Sequence, residues 1–243
     1  MKPIITFLSD FGIKDAYVAQ VKAVLLSGQP DAAIVDITHE VGSFSILSGA
    51  WLLYSSYRYF PQGTIHLAVV DPGVGSGRSC LIVKKQGHTF IGPDNGIFSF
   101  LYPADEVVRA LRRPEPVISN TFDGRDVFAP LILKLLHGRS VRELGEVTDE
   151  FILFDTKSPQ VVHIDKFGNI ITNIRYNKWR AGDCLEIGGC STGLVVRTFS
   201  DIPTGQPALL CGSSSTVEVS LRQDSAARML GAYVGMPVGI KER

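Results

Sequence analysis

Three aspartates stand at or near the ends of apolar runs: Asp10 after residues 4–8, Asp36 within 33–37, and Asp71 after 65–70. The last opens residues 69–78, VVDPGVGSGR. Glycine permits positive φ and close backbone approach, and proline fixes its own φ. A carboxylate, bare backbone and the Arg78 guanidinium therefore converge within eight residues. That set suits a site for a small polar molecule, although a tight loop between two strands has the same composition. Three acids in succession, two of them beside glycines, weigh toward a site. In an open parallel sheet, ligands bind beyond the carboxyl ends of the strands.

Two further polar knots carry similar residues. Residues 120–126, NTFDGRD, precede a helical pattern, where Asp123 or Asp126 can cap the helix or face a ligand. Residues 165–169, DKFGN, lie between two apolar runs and read as a hairpin turn. Phe167 is unusual in a pure turn. An exposed aromatic beside an amide, here Asn169, also suits a flat heterocycle that stacks on the ring while the amide bonds its edge.

Familiar motifs are missing or out of place. Gly73, Gly75 and Gly77 do not form GxGxxG, and a strand follows them, so no helix N-terminus is offered to a phosphate. GxxxxGK[ST] and HExxH do not occur, and GxSxG occurs once, as GCSTG at 189–193, between two short β-type runs and not before a helix as a nucleophile elbow requires. Hydride transfer, phosphoryl transfer and the common serine hydrolases lose ground.

The elements that must position these residues follow from periodicity. Strands are predicted over 4–8, 33–37 and 65–70, with helices from Asp15 to about Gly28 and from Phe44 to Tyr59, the second capped by Ser43. This alternation predicts right-handed crossovers and a mostly parallel sheet with flanking helices, an α/β fold. Strands over 81–83, 89–91 and 106–110 follow, then a helix over 126–137 in which Pro130 must sit in the first turn. The composition shifts near residues 156–159. Beyond it, short β-type runs recur at 161–164, 170–174, 184–187, 194–197, 208–211 and 217–221, with one helix at 225–230. The expectation is an α/β domain over 1–157 and a smaller all-β, barrel-like domain over 158–243.

Over its 243 residues the chain has 24 basic and 24 acidic side chains, which favours neither nucleic acid nor an acidic membrane. No window approaches the roughly 20 apolar residues of a membrane span. The start, MKPIITFLSD, reaches an acid early for a secretory signal, so a cytoplasmic protein is expected. Cys80, Cys184, Cys190 and Cys211 form no CxxC pair and lie at no zinc-ligand spacing from a histidine, so they read as reduced core thiols.

With these pieces in order, the chain resembles the S-adenosyl-L-methionine (SAM) hydroxide adenosyltransferases, or SAM hydrolases, relatives of the bacterial fluorinase and chlorinase. The matching blocks are FLSDFGIKDAYVAQVK, VDITHEV, VVDPGVGSGR, GPDNGIFS, TFDGRDVFAP and IDKFGNIITNI, and GSSSTVEVSLRQDSAA extends the match more weakly to residue 227. The resemblance implies a parallel α/β N-terminal domain, a β-barrel C-terminal domain and a homotrimer. SAM would lie between the N-terminal domain of one subunit and the C-terminal domain of its neighbour. It implies no metal and no cofactor, SAM being the substrate.

Carried over by position, Asp10 would grip the two ribose hydroxyls. Asp15, Asp165 and Ser213 would hold the ends of the methionine part. Phe44 would line the ribose side, Phe167 and Asn169 would take the adenine, and Glu218 and Gln223 would lie near it. Asp71 and Arg78 correspond to the acid and arginine that handle the attacking water. The sulfonium leaves as a neutral thioether, so no general acid is required. What must be supplied is a nucleophile aimed in line at the ribose 5′ carbon. The halogenases carry tyrosine where this chain has Asp71, and a carboxylate repels halide. The chain departs from the hydrolases at Asp123, where they usually have histidine, at Gly212 for asparagine, and at Thr216 for an aromatic. The resemblance implies a SAM hydrolase. A SAM- or adenosine-binding protein without turnover is the alternative raised by Asp123, and a halide-using adenosyltransferase is a third.

Overall fold

The computed structural model describes residues 2–110, 119–179 and 182–241. The chain divides into two compact units, 1–154 and 155–243.

The first unit alternates strand and helix at its start: β1 (Ile4–Ser9), α1 (Tyr17–Gly28), β2 (Ala33–Thr38), α2 (Ile46–Ser56) and β3 (Ile65–Val69). There follow β4 (Cys80–Lys85), β5 (His88–Pro93), β6 (Glu106–Ala110), α3 (Ala129–Leu136), α4 (Val141–Leu144) and β7 (Gly145–Val147). They form one mixed sheet in the order β2-β1-β3-β5-β4-β6-β7. The pairs β2–β1, β1–β3 and β3–β5 are parallel, and β5–β4, β4–β6 and β6–β7 antiparallel. The switch in direction comes from the turn between β4 and β5. Gln86 and Gly87 both have positive φ, the pattern of a two-residue hairpin that suits strand twist.

Period-two alternation splits the core in two. Ile5, Phe7, Leu67 and Val69 face Val21, Leu25, Phe128 and Ile132 on one side of the sheet. Leu8, Ala68 and Phe90 face Ala50, Leu53 and Tyr57 of the α2 region on the other. Helix α1 buries Val18, Val21 and Leu25, which share one face at helical spacing, and each such side chain contributes about 1.5–3 kcal/mol of burial.

Several boundaries differ from expectation. Helix α1 starts at Tyr17, leaving Asp15 in the preceding bend, and α2 starts at Ile46 with Ser45, not Ser43, at its cap position. Phe44 lies outside the helix because its φ is +65°. The predicted helix over 126–137 begins instead as a π-helical turn, Gly124–Phe128, which passes into α3 with Pro130 in the first turn. Pro130 has no N–H to give the carbonyls of the π-helical turn before it.

The second unit holds β8 (Val161–Ile164), β9 (Ile170–Arg175), β10 (Cys184–Ile187), β11 (Cys190–Thr192), β12 (Ala208–Cys211), β13 (Thr216–Ser220), α5 (Ala226–Leu230) and β14 (Gly239–Lys241). They make two antiparallel sheets, β12-β13-β9-β8 and β11-β10-β14. The run 194–197 is not a strand: only Val195 makes a bridge, to Leu209, and β11 is the edge strand beside β10 instead. The cysteine reading is corrected too. Cys80 is buried, Cys184 is intermediate, and Cys190 and Cys211 are exposed. Cys190 stands on an edge strand, and Cys211 on the one exposed position of β12.

Inside the first unit, Thr6, His66 and His88 cross three strands as a hydrogen-bonded row. His66 Nδ1 lies 2.8 Å from Thr6 Oγ1 and its Nε2 lies 3.1 Å from His88 Nδ1, while Phe90 stacks on its ring. Burial, with the neighbouring His88 second, pushes the His66 pKa down to about 3. An unfolded histidine takes a proton below about pH 6.5, whereas folded His66 does not until far lower. Stability is therefore full above that point and is lost as pH falls. Denaturant unfolding should show about 2 kcal/mol less stability at pH 5 than at pH 7 from this group alone, and His66→Gln should flatten the slope.

Candidate active site

Parallel pairing brings two of the three acids to one sheet edge. Ser9 of β1 sits in register with Val69 of β3, so Asp10 and Asp71 emerge side by side beyond the strand ends. Asp36 does not join them. It pairs with Phe7 inside the β1–β2 ladder, and its carboxylate takes the Lys22 ammonium at 2.6 Å.

The glycine loop then folds back across the polar knot at 120–126. Gly75 has φ +79°, and a Cβ there would lie 2.6 Å from the carbonyl oxygen of Asn120, so this approach admits only glycine. Docking the two segments delivers Arg78 between two acids. Its Nε donates to Asp71 Oδ1 at 2.7 Å, and its Nη2 donates both to Asp71 Oδ2 and to Asp123 Oδ2, the latter at 2.6 Å. All three side chains are largely buried, Arg78 being 10% exposed and each carboxylate 4%. Phe128 lies under the guanidinium, 5.4 Å from ring centre to Cζ. Asp123 is thus committed to Arg78 and caps nothing. Asp126 instead chelates Arg125 and accepts from the Ser119 N–H at 3.0 Å. Asp123 immediately precedes the π-helical turn, a geometry found often at functional sites.

These groups open on a cavity of about 420 Å³, lined by Asp10, Phe44, Asp71, Asp123 and an aromatic wall of Phe11, Tyr17 and Phe122. Phe44 is 69% exposed, and its backbone N–H donates to Asp10 Oδ2 at 2.9 Å. A non-glycine residue at positive φ is strained, and such strain collects at ligand sites. The aromatic wall was missed by sequence reasoning; three rings inside two of the matching blocks were its only signal. Asp15 is exposed and does not line the cavity.

The remaining candidates belong to the second unit. In the β8–β9 turn, Asp165 Oδ1 accepts from the backbone of Phe167 and of Asn169, both at 2.9 Å, and Oδ2 accepts from Asn169 Nδ2 at 2.8 Å. The turn holds Phe167 67% exposed, with Lys166 Nζ 4.9 Å from its ring centre. DKFGN is therefore a hairpin turn with an exposed aromatic ring, its buried Asn169 amide bonded to Asp165. Ser213 and Gln223 are exposed, Gln223 in a turn at φ +56°.

Glu218 is buried in the middle of β13, opposite Ile171 of β9. Its carboxylate occupies the space over Gly212, where a Cβ would come within 1.8 Å of Oε1. Burial, aided by the charge of Asp165, raises its pKa to about 7. A carboxyl raised in the fold binds its proton more tightly there than when unfolded, so stability falls as pH rises from about 4.5 to 7 and stays lowered above. Glu218→Gln removes that penalty. Thermal unfolding should show the variant more stable at pH 8, by up to about 3 kcal/mol, and little changed at pH 5.

Two family models match the chain: the SAM hydroxide adenosyltransferase N-terminal domain over residues 5–145 and the corresponding C-terminal domain over 159–239. A protein of Thermus thermophilus named (R)-S-adenosyl-L-methionine hydrolase is 38% identical, over 98% of this chain and 99% of its own. A fluorinase of Nocardia brasiliensis is 28% identical over 71% of each. The crystal structure of an uncharacterized conserved protein from Thermotoga maritima superposes with a TM-score of 0.87 at 29% identity, covering 98% of this chain and all of that one.

Proposed function

Because the chain belongs to the SAM hydroxide adenosyltransferase family, we propose that it hydrolyses SAM to adenosine and L-methionine. The observation that carries the mechanism is the arginine clamped between Asp71 and Asp123, two carboxylates that line the Asp10 cavity.

In this reading Asp10 takes the ribose hydroxyls, with Phe44 beside the sugar. Each oxygen of Asp71 and Asp123 that meets Arg78 keeps a lone pair able to accept from a water. That water attacks the ribose 5′ carbon in line with the C–S bond. The bond's electron pair goes to sulfur, which leaves as the thioether of methionine, and the water's proton passes to Asp71. Arg78 acts by holding both acids in place beside the water. The two carboxylates outweigh the single guanidinium, which disfavours a halide as nucleophile. Asp123 takes the place of the usual histidine as the second anchor of the arginine, not as a second base. Asp15, Asp165 and Ser213 are assigned to the methionine part, and Phe167, Asn169, Glu218 and Gln223 to the adenine side. The reading includes a cytoplasmic homotrimer, each site completed by the C-terminal unit of a neighbouring subunit. Analytical ultracentrifugation of a monomer would overturn that part.

The relative's name specifies the R configuration at sulfur, and the same preference is assigned here. A hydrolase selective for that epimer spares the other. The test is incubation with a mixture of both SAM epimers in oxygen-18 water, with and without chloride, followed by mass spectrometry. Labelled adenosine, with the R epimer consumed first, is expected. Binding without product, or 5′-chloro-5′-deoxyadenosine, would overturn the hydrolase reading.

A further inference from the structure

The end of β1 carries a second polar chain, separate from the Asp71–Arg78–Asp123 clamp. Ser9, fully buried, lies 2.8 Å through Oγ from His39 Nδ1. Asp36 Oδ1 lies 3.1 Å from the other ring nitrogen, off its N–H axis, and Asp36 Oδ2 takes Lys22. Serine, histidine and aspartate in contact suggest nucleophilic catalysis, but Ser9 has no exposure to any substrate.

Its donors run in one direction. Burial lowers the His39 pKa, so the ring is neutral near pH 7 and carries one proton. The negative charge of Asp36 favours that proton on Nε2, so Nδ1 accepts from the Ser9 hydroxyl. Ser9 Oγ in turn accepts from the Phe11 N–H at 3.3 Å. Around this chain the segments after β1 and β2 are joined by backbone as well. The Gly12 N–H donates to the His39 carbonyl at 2.7 Å and the Val41 N–H to the Ser9 carbonyl at 3.4 Å. The Phe7 ring meets the imidazole edge-on at 4.6 Å. Asp10 lies between Ser9 and Phe11, and Phe44 follows Val41 by three residues.

We infer that His39 is a positioning residue: through Ser9 and its own carbonyl it locks the turn bearing Asp10 onto the turn bearing Phe44, before any ligand arrives. Its effect on SAM rests on the ribose-binding reading of Asp10. The locking itself does not.

The two are tested separately. Amide hydrogen exchange in the ligand-free protein reads the locking at Phe11, Gly12 and Phe44. His39→Ala and Ser9→Ala should each raise exchange about tenfold, the loss of one buried hydrogen bond, while His39→Asn, whose side chain reaches the Nδ1 position, stays near wild type. Unchanged exchange in both alanine variants overturns the inference. Steady-state kinetics then read its consequence: KM for SAM should rise about tenfold with kcat within about twofold. Mere loss of folded protein would lower kcat at constant KM, and that result also overturns positioning. Asp10→Asn is measured alongside. If it leaves KM unchanged, the ribose reading fails, and the exchange data alone judge His39.

Discussion

Asp71→Asn is expected to lower kcat for SAM hydrolysis by about 10²- to 10⁴-fold while changing SAM affinity less than about threefold. The substitution keeps size and shape but removes the proton acceptor. If the carboxylate acts only once the water is attacking, its loss falls on the chemical step. The two oxygens of Asp71 now meet Nε and Nη2 of Arg78. An amide can oppose only one of these donors with its oxygen and presents its own N–H₂ to the other, so the arginine also loosens. Single-turnover kinetics and equilibrium binding separate the effects. Turnover equal to wild type would remove Asp71 from the mechanism.

Arg78→Leu is expected to abolish turnover and to destabilise the fold by about 3–5 kcal/mol, the cost of stripping the partner from a buried ion pair. The figure belongs at the upper end because two carboxylates, each 4% exposed, would face each other without a cation. The variant should regain stability in acid, where protonating one carboxylate relieves the repulsion. Adding Asp123→Asn to Arg78→Leu should restore part of the loss, and a double-mutant cycle measures the coupling. Lysine is a poor substitute, since one ammonium cannot present the planar fork that spans three oxygens. If Arg78→Leu melts like wild type, the clamp is not structural.

Much of the frame was legible because it follows from short-range rules. Apolar runs with helical or alternating period placed β1, α1, β2 and β3, and the aspartates at run ends pointed to the right sheet edge. Asp36 misled because an acid two positions inside a strand looks, in one dimension, like an acid just beyond it. The β1–β2 register places it inside the ladder, where its carboxylate takes Lys22. The run 194–197 has β composition, yet its partner strand offers a single bridge at Leu209, and strand identity is decided by the partner. The cysteines looked internal for the same reason: an apolar neighbour in sequence does not fix which side of an edge strand faces outward. The clamp lay beyond local reading. Asp71 and Asp123 are far apart in the chain, and what joins them is an approach of the glycine loop to the Asn120 carbonyl that no spacing rule contains. The resemblance supplied the residues, and the folded chain supplied the bonds among them.

The crowding at Gly212 reaches past this one molecule to how related chains can change. With a Cβ at 212 and the carboxylate of residue 218 competing for one volume, the two positions form a single step in sequence space. A lineage passing between glycine and a larger side chain at 212 must swing the residue 218 side chain out of that volume or shorten it. Family members with a side chain at 212 should therefore hold residue 218 in another rotamer or carry a shorter residue there.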